Sequence, residues 1–254
     1  MRQAPDSDHL VLERLMAPSD PSRPTVVLVH GAFAESASWS GVVAVLQDAG
    51  CTVVAAANPL RGVASDAASL RAQLDALEGP IVLVGHSYGG AVASSAAAGS
   101  DAVKALVYVA AFAPEEGESC GDLAGRFPGS SLGETLVPAP LADGGTDLRI
   151  SPDRFRAQFC HDVDEATANL MAVTQRPIAE AALGEAAKAA AWKTIPSWFV
   201  FGTEDRNIPV ASLRFMAERA GSKGTVEVDG ASHALGVSTP GTVADVILQA
   251  VEAV

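Results

Sequence analysis

Ile81-Val82-Leu83-Val84 runs without a polar interruption into Gly85-His86-Ser87-Tyr88-Gly89-Gly90, and small residues continue from Ala91 to Ala98. The apolar run reads as a strand buried on both faces. The alanine-rich run reads as a helix. A strand hidden on both faces needs a cover on each side, so this stretch restricts the chain to a mostly parallel sheet with helices on both faces. It also sets a serine on a sharp turn between two glycines. Whether that serine is a nucleophile or an idle turn residue depends on what the rest of the chain brings to the same edge.

The alternation recurs along the chain. His9–Leu15 reads as a leading strand and Ser19–Pro24 as a turn. Thr25–Gly31 is a buried strand ending in glycine. Ser36–Gly50 has a helical pattern, with Trp39, Val42, Val43 and Leu46 on one face and Gly50 as its stop. Strands are expected over Cys51–Pro59 and Val103–Pro114, with an amphipathic helix over Ser65–Gly79. After a break, the order resumes. A strand and loop span Pro196–Asp205, a helix Pro209–Gly221, a short strand and loop Gly224–His233, and a closing helix Thr239–Val254. Connections between parallel strands should be right-handed crossovers. Ligands on such sheets gather at the C-terminal strand ends, where His30-Gly31 and Ser87 both fall.

The break runs from Glu115 to Trp192. No strand run is evident there, and about 80 residues is too long for a plain loop. Its first half is rich in Gly, Pro and Ser. Its second half has helical patterns over Ser151–Val163, Asp164–Gln175 and Ile178–Trp192, the first opened by a Ser-Pro N-cap and N1 pair. The expected organisation is an α/β core from residues 1–114 and 193–254, with residues 115–192 inserted as a helical lid.

The 254 residues suffice for one large domain with a full core. A formal net charge of −13 disfavours nucleic acid and anionic membrane as partners. Cys51, Cys120 and Cys160 match neither a redox pair nor a zinc ribbon, and an odd count points to reduced thiols. Asp6, Asp8 and Glu13 interrupt the place where a signal peptide would be apolar, and no apolar run is long enough to span a bilayer. A cytoplasmic protein is expected.

A serine nucleophile needs small residues two before and two after it, and here these are Gly85 and Gly89. The following helix would aim its free amides at a developing oxyanion. A base must take the hydroxyl proton. Of His9, His30, His86, His161 and His233, the last lies in a loop after the final strand, as the order serine, acid, histidine requires. His30 and His86 sit beside strand-end glycines and read as shaping residues. His161 falls in the expected lid. Asp205 follows a buried strand and is the best acid, ahead of Glu204, Glu115 and Glu116. Asp229 is too near His233 along the chain and suits a turn cap. One oxyanion amide should come from Tyr88 and the other from Ala32 or Phe33.

Together "VLVHGAF", "GHSYGG", "GTEDRNIP" and "GASH" resemble the α/β-hydrolase family over nearly the whole chain. "LVHGAFAESASW" and "VDGASHALGVSTP" are similar to the branch of plant methylesterases and hydroxynitrile lyases with their bacterial relatives. The resemblance implies an α/β-hydrolase fold, a triad of Ser87, Asp205 and His233, and an oxyanion hole from the Ala32 and Tyr88 amides. Lyases of that branch carry a lysine after the catalytic histidine and a threonine in the oxyanion loop. Here Ala234 and Gly31 stand in those places, which favours ester hydrolysis over cyanohydrin cleavage. Serine rather than aspartate as the nucleophile argues against a dehalogenase or an epoxide hydrolase.

The expected activity is hydrolysis of a small, largely apolar carboxylic ester, with no metal or organic cofactor, by a monomer or dimer. Phe33, Tyr88, Phe155, Phe159, Met171 and Trp192 are candidate pocket walls. A lactonase, thioesterase or perhydrolase would use the same machinery. A small-molecule receptor that keeps the triad but turns over slowly is the alternative from another class.

Overall fold

The computed structural model describes residues 23–142 and 144–254. The expected strand at His9–Leu15 and most of the Ser19–Pro24 turn lie outside the described residues. The chain begins with β1 (Thr25–Val29), a 3-10 turn at Ser36–Trp39 and α1 (Ser40–Asp48). Next come β2 (Val53–Ala56), α2 (Val63–Leu74), β3 (Ile81–His86), α3 (Tyr88–Ala97) and β4 (Val103–Val109). After an intervening segment, β8 (Ser197–Gly202), α8 (Val210–Arg219), β9 (Gly224–Val228), α9 (Leu235–Ser238) and α10 (Pro240–Glu252) complete the order.

Six strands form one sheet in the order β2-β1-β3-β4-β8-β9, and every pair is parallel. The sequence reason is direct. All six residues of β3 are buried, as are all six of β8, so neither has a face to turn to water. The chain steps outward from β1 to β2 and then back across β1 to β3. That reversal opens a crevice at the C-terminal ends of β1 and β3. α2 packs with α3, and α1 with α10, as covers for the sheet. The helix expected over Ser36–Gly50 is a 3-10 turn followed by α1; Trp39, Val42 and Leu46 are buried as expected, and Val43 is half-buried.

Backbone strain marks the same edge. Among the described residues, the non-glycine residues with positive φ are Phe33, Leu60, Ser87 and Ala110, and each lies just past the C-terminal end of one of the first four strands. Such conformations cost of order 1–3 kcal/mol each and gather where surrounding contacts impose them.

Between β4 and β8 the chain differs from the expected strandless segment. It holds α4 (Cys120–Gly125), β5 (Leu136–Pro140), β6 (Thr146–Ile150), α5 (Pro152–Phe159), α6 (Glu165–Thr174), β7 (Ile178–Ala179) and α7 (Glu180–Gly184). β5, β6 and β7 form a separate antiparallel sheet. β6 alternates, with Leu148 and Ile150 buried and Arg149 exposed, so it carries no continuous apolar run. β5 includes Pro138 and Pro140, which an edge strand tolerates. The helix expected over Ile178–Trp192 shrinks to α7 and a 3-10 turn at Ala191–Lys193. Tertiary bonds override alanine propensity there. Ala187 N–H donates to Glu118 O, Gly117 N–H donates to Ala187 O, and the Glu185 carboxylate accepts from the Ala64 amide. α5 and α6 stand where the pattern put them. Pro152 opens α5, but the Ser151 hydroxyl bonds the Asp153 carboxylate instead of capping the helix.

Among the described residues, no helix is long and apolar enough to cross a membrane. Cys51, Cys120 and Cys160 are free and buried.

Candidate active site

Ser87 sits at φ 55° and ψ −126° between β3 and α3. Its backbone is fixed from three sides. Ser87 N–H donates to Val109 O, and Ser87 O accepts from the Gly90 and Phe112 amides. The flanking glycines are required by close approach. A Cβ at Gly85 would lie 2.6 Å from Gly89 O, and one at Gly89 would lie 2.5 Å from Val29 O. Both distances are shorter than any real Cβ contact, so the turn can be built only without side chains there.

Asp205 follows the C-terminal end of β8 and His233 that of β9. His233 Nδ1 is 2.6 Å from Asp205 Oδ2, and both side chains are fully buried. Asp205 Oδ1 accepts from the Asn207 and Ile208 amides at 2.8 and 2.9 Å. The carboxylate therefore cannot rotate away from the imidazole, and it selects the tautomer with the proton on Nδ1. His233 Nε2 is buried and has no hydrogen-bond partner among the described residues.

His86, next to Ser87, brings the His233 loop against the serine turn. Its Nε2 is 3.0 Å from His233 O, and the two rings lie 4.7 Å apart. Burial, and then the charge His233 would carry, hold the His86 pKa well below its ordinary value. His86 is thus a neutral donor whose Nε2–H holds the His233 carbonyl. Burial likewise lowers His30, whose Nδ1 donates to Gly31 O and whose Nε2 accepts from the Asn58 amide. Both histidines shape strand ends, as expected.

Three of the other acids have contacts elsewhere. Glu204 is exposed and lies 3.6 Å from His161. Glu115 pairs with Lys193 and Arg219. Asp229 accepts from the Thr203 hydroxyl across a turn. At the oxyanion loop, Phe33 N–H donates to Arg176 O, whereas the Ala32 amide has no acceptor among the described residues. Gly31 packs directly on Ser87, since a Cβ there would lie 2.6 Å from Ser87 Cβ.

A cavity of about 70 Å³ opens on Ser87, walled by Ala32, Phe33, Phe112 and Tyr88 from the core and by Cys120 and Leu132 from the inserted segment, among others. Asn207 is its main polar side chain. Beside it, a groove of about 140 Å³ runs between Phe33 and α6, bordered by Met171 and the exposed Leu170. Of the six expected wall residues, Phe33 and Tyr88 border the cavity and Met171 the groove. Phe159 borders a small space beside His86 and stands edge-on to His233, 5.1 Å between ring centres.

Phe155 and Trp192 lie away from these spaces. Phe155 stacks behind Phe159, and the Trp192 indole donates to Pro114 O beneath the Arg219 guanidinium. Neither lines these spaces, because each is consumed in packing.

The sequence reading missed the side chains that brace the site. Gln158 Nε2 donates to Arg206 O and Asn207 Oδ1, and its Oε1 accepts from Ser131 Oγ, tying α5 to the acid loop. The Asp162 carboxylate accepts from the Ser232 amide beside the base. The local pattern carries no signal for either, since their partners are remote in sequence.

The sequence pattern of the alpha/beta hydrolase family matches residues 26–246, and the chain belongs to that family. No curated protein matches it in sequence. Its fold is similar to that of polyneuridine aldehyde esterase, with a TM-score of 0.76 at 19% identity over 90% of this chain and 99% of that one. It also resembles a pyrethroid hydrolase from Sphingobium faniae JZ-2, with a TM-score of 0.71 at 23% identity over 91% and 98%. A methylesterase from Arabidopsis gives 0.75 at 18% identity over 91% and 100%.

Proposed function

We propose that the protein is a serine hydrolase that cleaves a small, largely apolar carboxylic ester through an acyl-enzyme. One observation carries this reading: a buried imidazole, held by Asp205 at Nδ1 and with a bare Nε2, lies in a loop that is hydrogen-bonded to His86, the residue next to the strained Ser87. His233 Nε2 takes the Ser87 hydroxyl proton as Oγ bonds to the carbonyl carbon. The carbonyl electron pair moves onto oxygen, where the Ala32 and Tyr88 amides hold the oxyanion. Collapse expels the alcohol, which receives the proton from His233. Water repeats the sequence on the acyl-enzyme and frees the acid and Ser87.

Residues 115–192 act as a lid over the strand ends, because Cys120, Leu132 and Leu183 from this segment wall the cavity at Ser87. That cavity is small and mostly apolar, which suits a short acyl chain. The printed names of the structural neighbours, an esterase, a pyrethroid hydrolase and a methylesterase, agree with ester chemistry. Lyase chemistry is disfavoured by Ala234 after the base and by Gly31, where a threonine would force the nucleophile turn to shift.

The test is turnover of p-nitrophenyl acetate and butyrate by the purified protein. Multiple turnovers that vanish in Ser87→Ala are expected; full activity in that variant rejects the assignment.

A further inference from the structure

Tyr88 follows the nucleophile and heads α3, and its amide is one of the two proposed oxyanion donors. Its side chain has a separate, fully buried attachment. The hydroxyl donates to Asp66 Oδ2 at 2.9 Å, and neither residue is more than 1% exposed. Asp66 lies in the first turn of α2, far from the cavity at Ser87 in sequence and on a different element. A buried carboxylate needs donors, and this one has a full set. It accepts from the Arg61 amide at 3.2 and 3.0 Å and from the Gly62 amide at 3.4 Å, with the Ser65 hydroxyl, which donates to Gly62 O at 3.0 Å, also 3.4 Å away. Its position is therefore fixed independently of Tyr88.

The consequence follows from helix geometry. A side chain in the first turn shares its Cα with the amide that faces the ligand, so anchoring the ring at its far end restricts the tilt of that amide. The next two residues, Gly89 and Gly90, have no side chains with which to do this. We propose that Asp66 is a positioning residue for the oxyanion site, acting through its hydrogen bond to the Tyr88 hydroxyl. Burial, followed by the Asp66 charge, raises the Tyr88 pKa, so the phenol remains a donor at all working pH values. The assignment rests on the hydrolase reading given above, and it identifies a residue that never touches substrate.

Tyr88→Phe removes one hydroxyl and leaves the ring and the other donors to Asp66 in place. Removing a whole oxyanion donor costs about 10²–10³-fold in kcat, so loosening one should cost about 10-fold. The measurement is kcat per active site, counted by fluorophosphonate labelling, together with KM and the inhibition constant of a boronic acid that occupies the oxyanion site. The expected result is kcat lowered about 10-fold, KM within about twofold, and boronic acid affinity reduced in parallel with kcat. Asp66→Asn should lower kcat in the same way, and the double variant should be no slower than Tyr88→Phe alone.

An unchanged kcat per labelled site in Tyr88→Phe overturns the proposal, whatever happens to its melting temperature. So do multiplicative losses in the double variant. If Tyr88→Phe does not fold, the kcat and boronic acid measurements on Asp66→Asn decide the matter alone. A wild-type protein inert to both esters and fluorophosphonate would instead overturn the hydrolase reading itself.

Discussion

The rim of the main sheet and the inserted segment contribute to the site in different ways. The rim supplies the proposed reacting groups. Ser87, Asp205 and His233 all follow strands of the six-stranded sheet, and positive-φ residues sit at four strand ends. The insertion supplies walls and braces. Its α5 presses Phe159 against His233 and His86 and bonds the acid loop through Gln158, while Asp162 accepts from the amide preceding the base. One region is rigid because its strands are buried on both faces. The other joins it through buried apolar side chains such as Phe155 and Phe159 and through long-range bonds from Gln158 and Asp162. The difference teaches that chemistry and enclosure need not share a source of stability, and substitutions can separate them.

The largest expected effect belongs to the rim. Asp205→Asn keeps the shape but loses the fixed tautomer of His233, and kcat for p-nitrophenyl esters should fall about 10⁴-fold. The melting temperature should change far less in proportion. A kcat loss below about tenfold would mean that the base is oriented by something other than Asp205.

Next is the brace. Phe159→Ala removes a buried ring from contact with Phe155, His86 and His233, and should cost about 3–5 kcal/mol in denaturant unfolding. If the insertion were merely laid on the rim, unfolding would show two transitions, with the core transition unmoved.

Acid should act on the rim. His30 and His86 are held below their ordinary value of 6.5 by burial. Below pH 6.5 the unfolded chain binds protons at these positions and the folded chain does not. Their contribution to stability is complete above 6.5 and is lost as pH falls from there toward the folded pKa values. The slope is up to about 1.4 kcal/mol per pH unit for each histidine. Urea midpoints between pH 7.5 and 5.5 would show it, and a flat profile would contradict the buried neutral state.

The smallest effect is expected where the second sheet touches the core. Arg61 pairs with Asp147 of β6 at 2.7 Å, but Arg61 is 40% exposed. Asp147→Asn should cost less than about 1 kcal/mol. A larger loss would make the insertion more dependent on this pair than on Gln158 and Phe159.

The same division governs what could be read from the sequence. β3, β4 beyond the exposed Lys104, and β8 were legible because a strand buried on both faces must be a nearly continuous apolar run. The serine turn was legible because Gly85 and Gly89 are demanded by backbone contact. Asp205 followed from its place after β8. β5, β6 and β7 were not legible, since an edge pair bearing Pro138, Pro140 and Arg149 has no such run. The alanine-rich stretch after Gly184 misled because bonds to Glu118 and Ala64 replaced helix propensity. Asp66, Gln158 and Asp162 were missed for one reason: their value lies in partners that only the fold brings near.

The most direct test of the central claim is to trap the acyl or phosphonyl group and locate it. Mass spectrometry after brief exposure to a fluorophosphonate, or to a slowly deacylated p-nitrophenyl ester, should place one adduct on the peptide bearing Ser87. Labelling should be lost in Ser87→Ala and much slower in His233→Ala. Stoichiometric labelling at another residue, or ester turnover that persists in Ser87→Ala, would contradict the account.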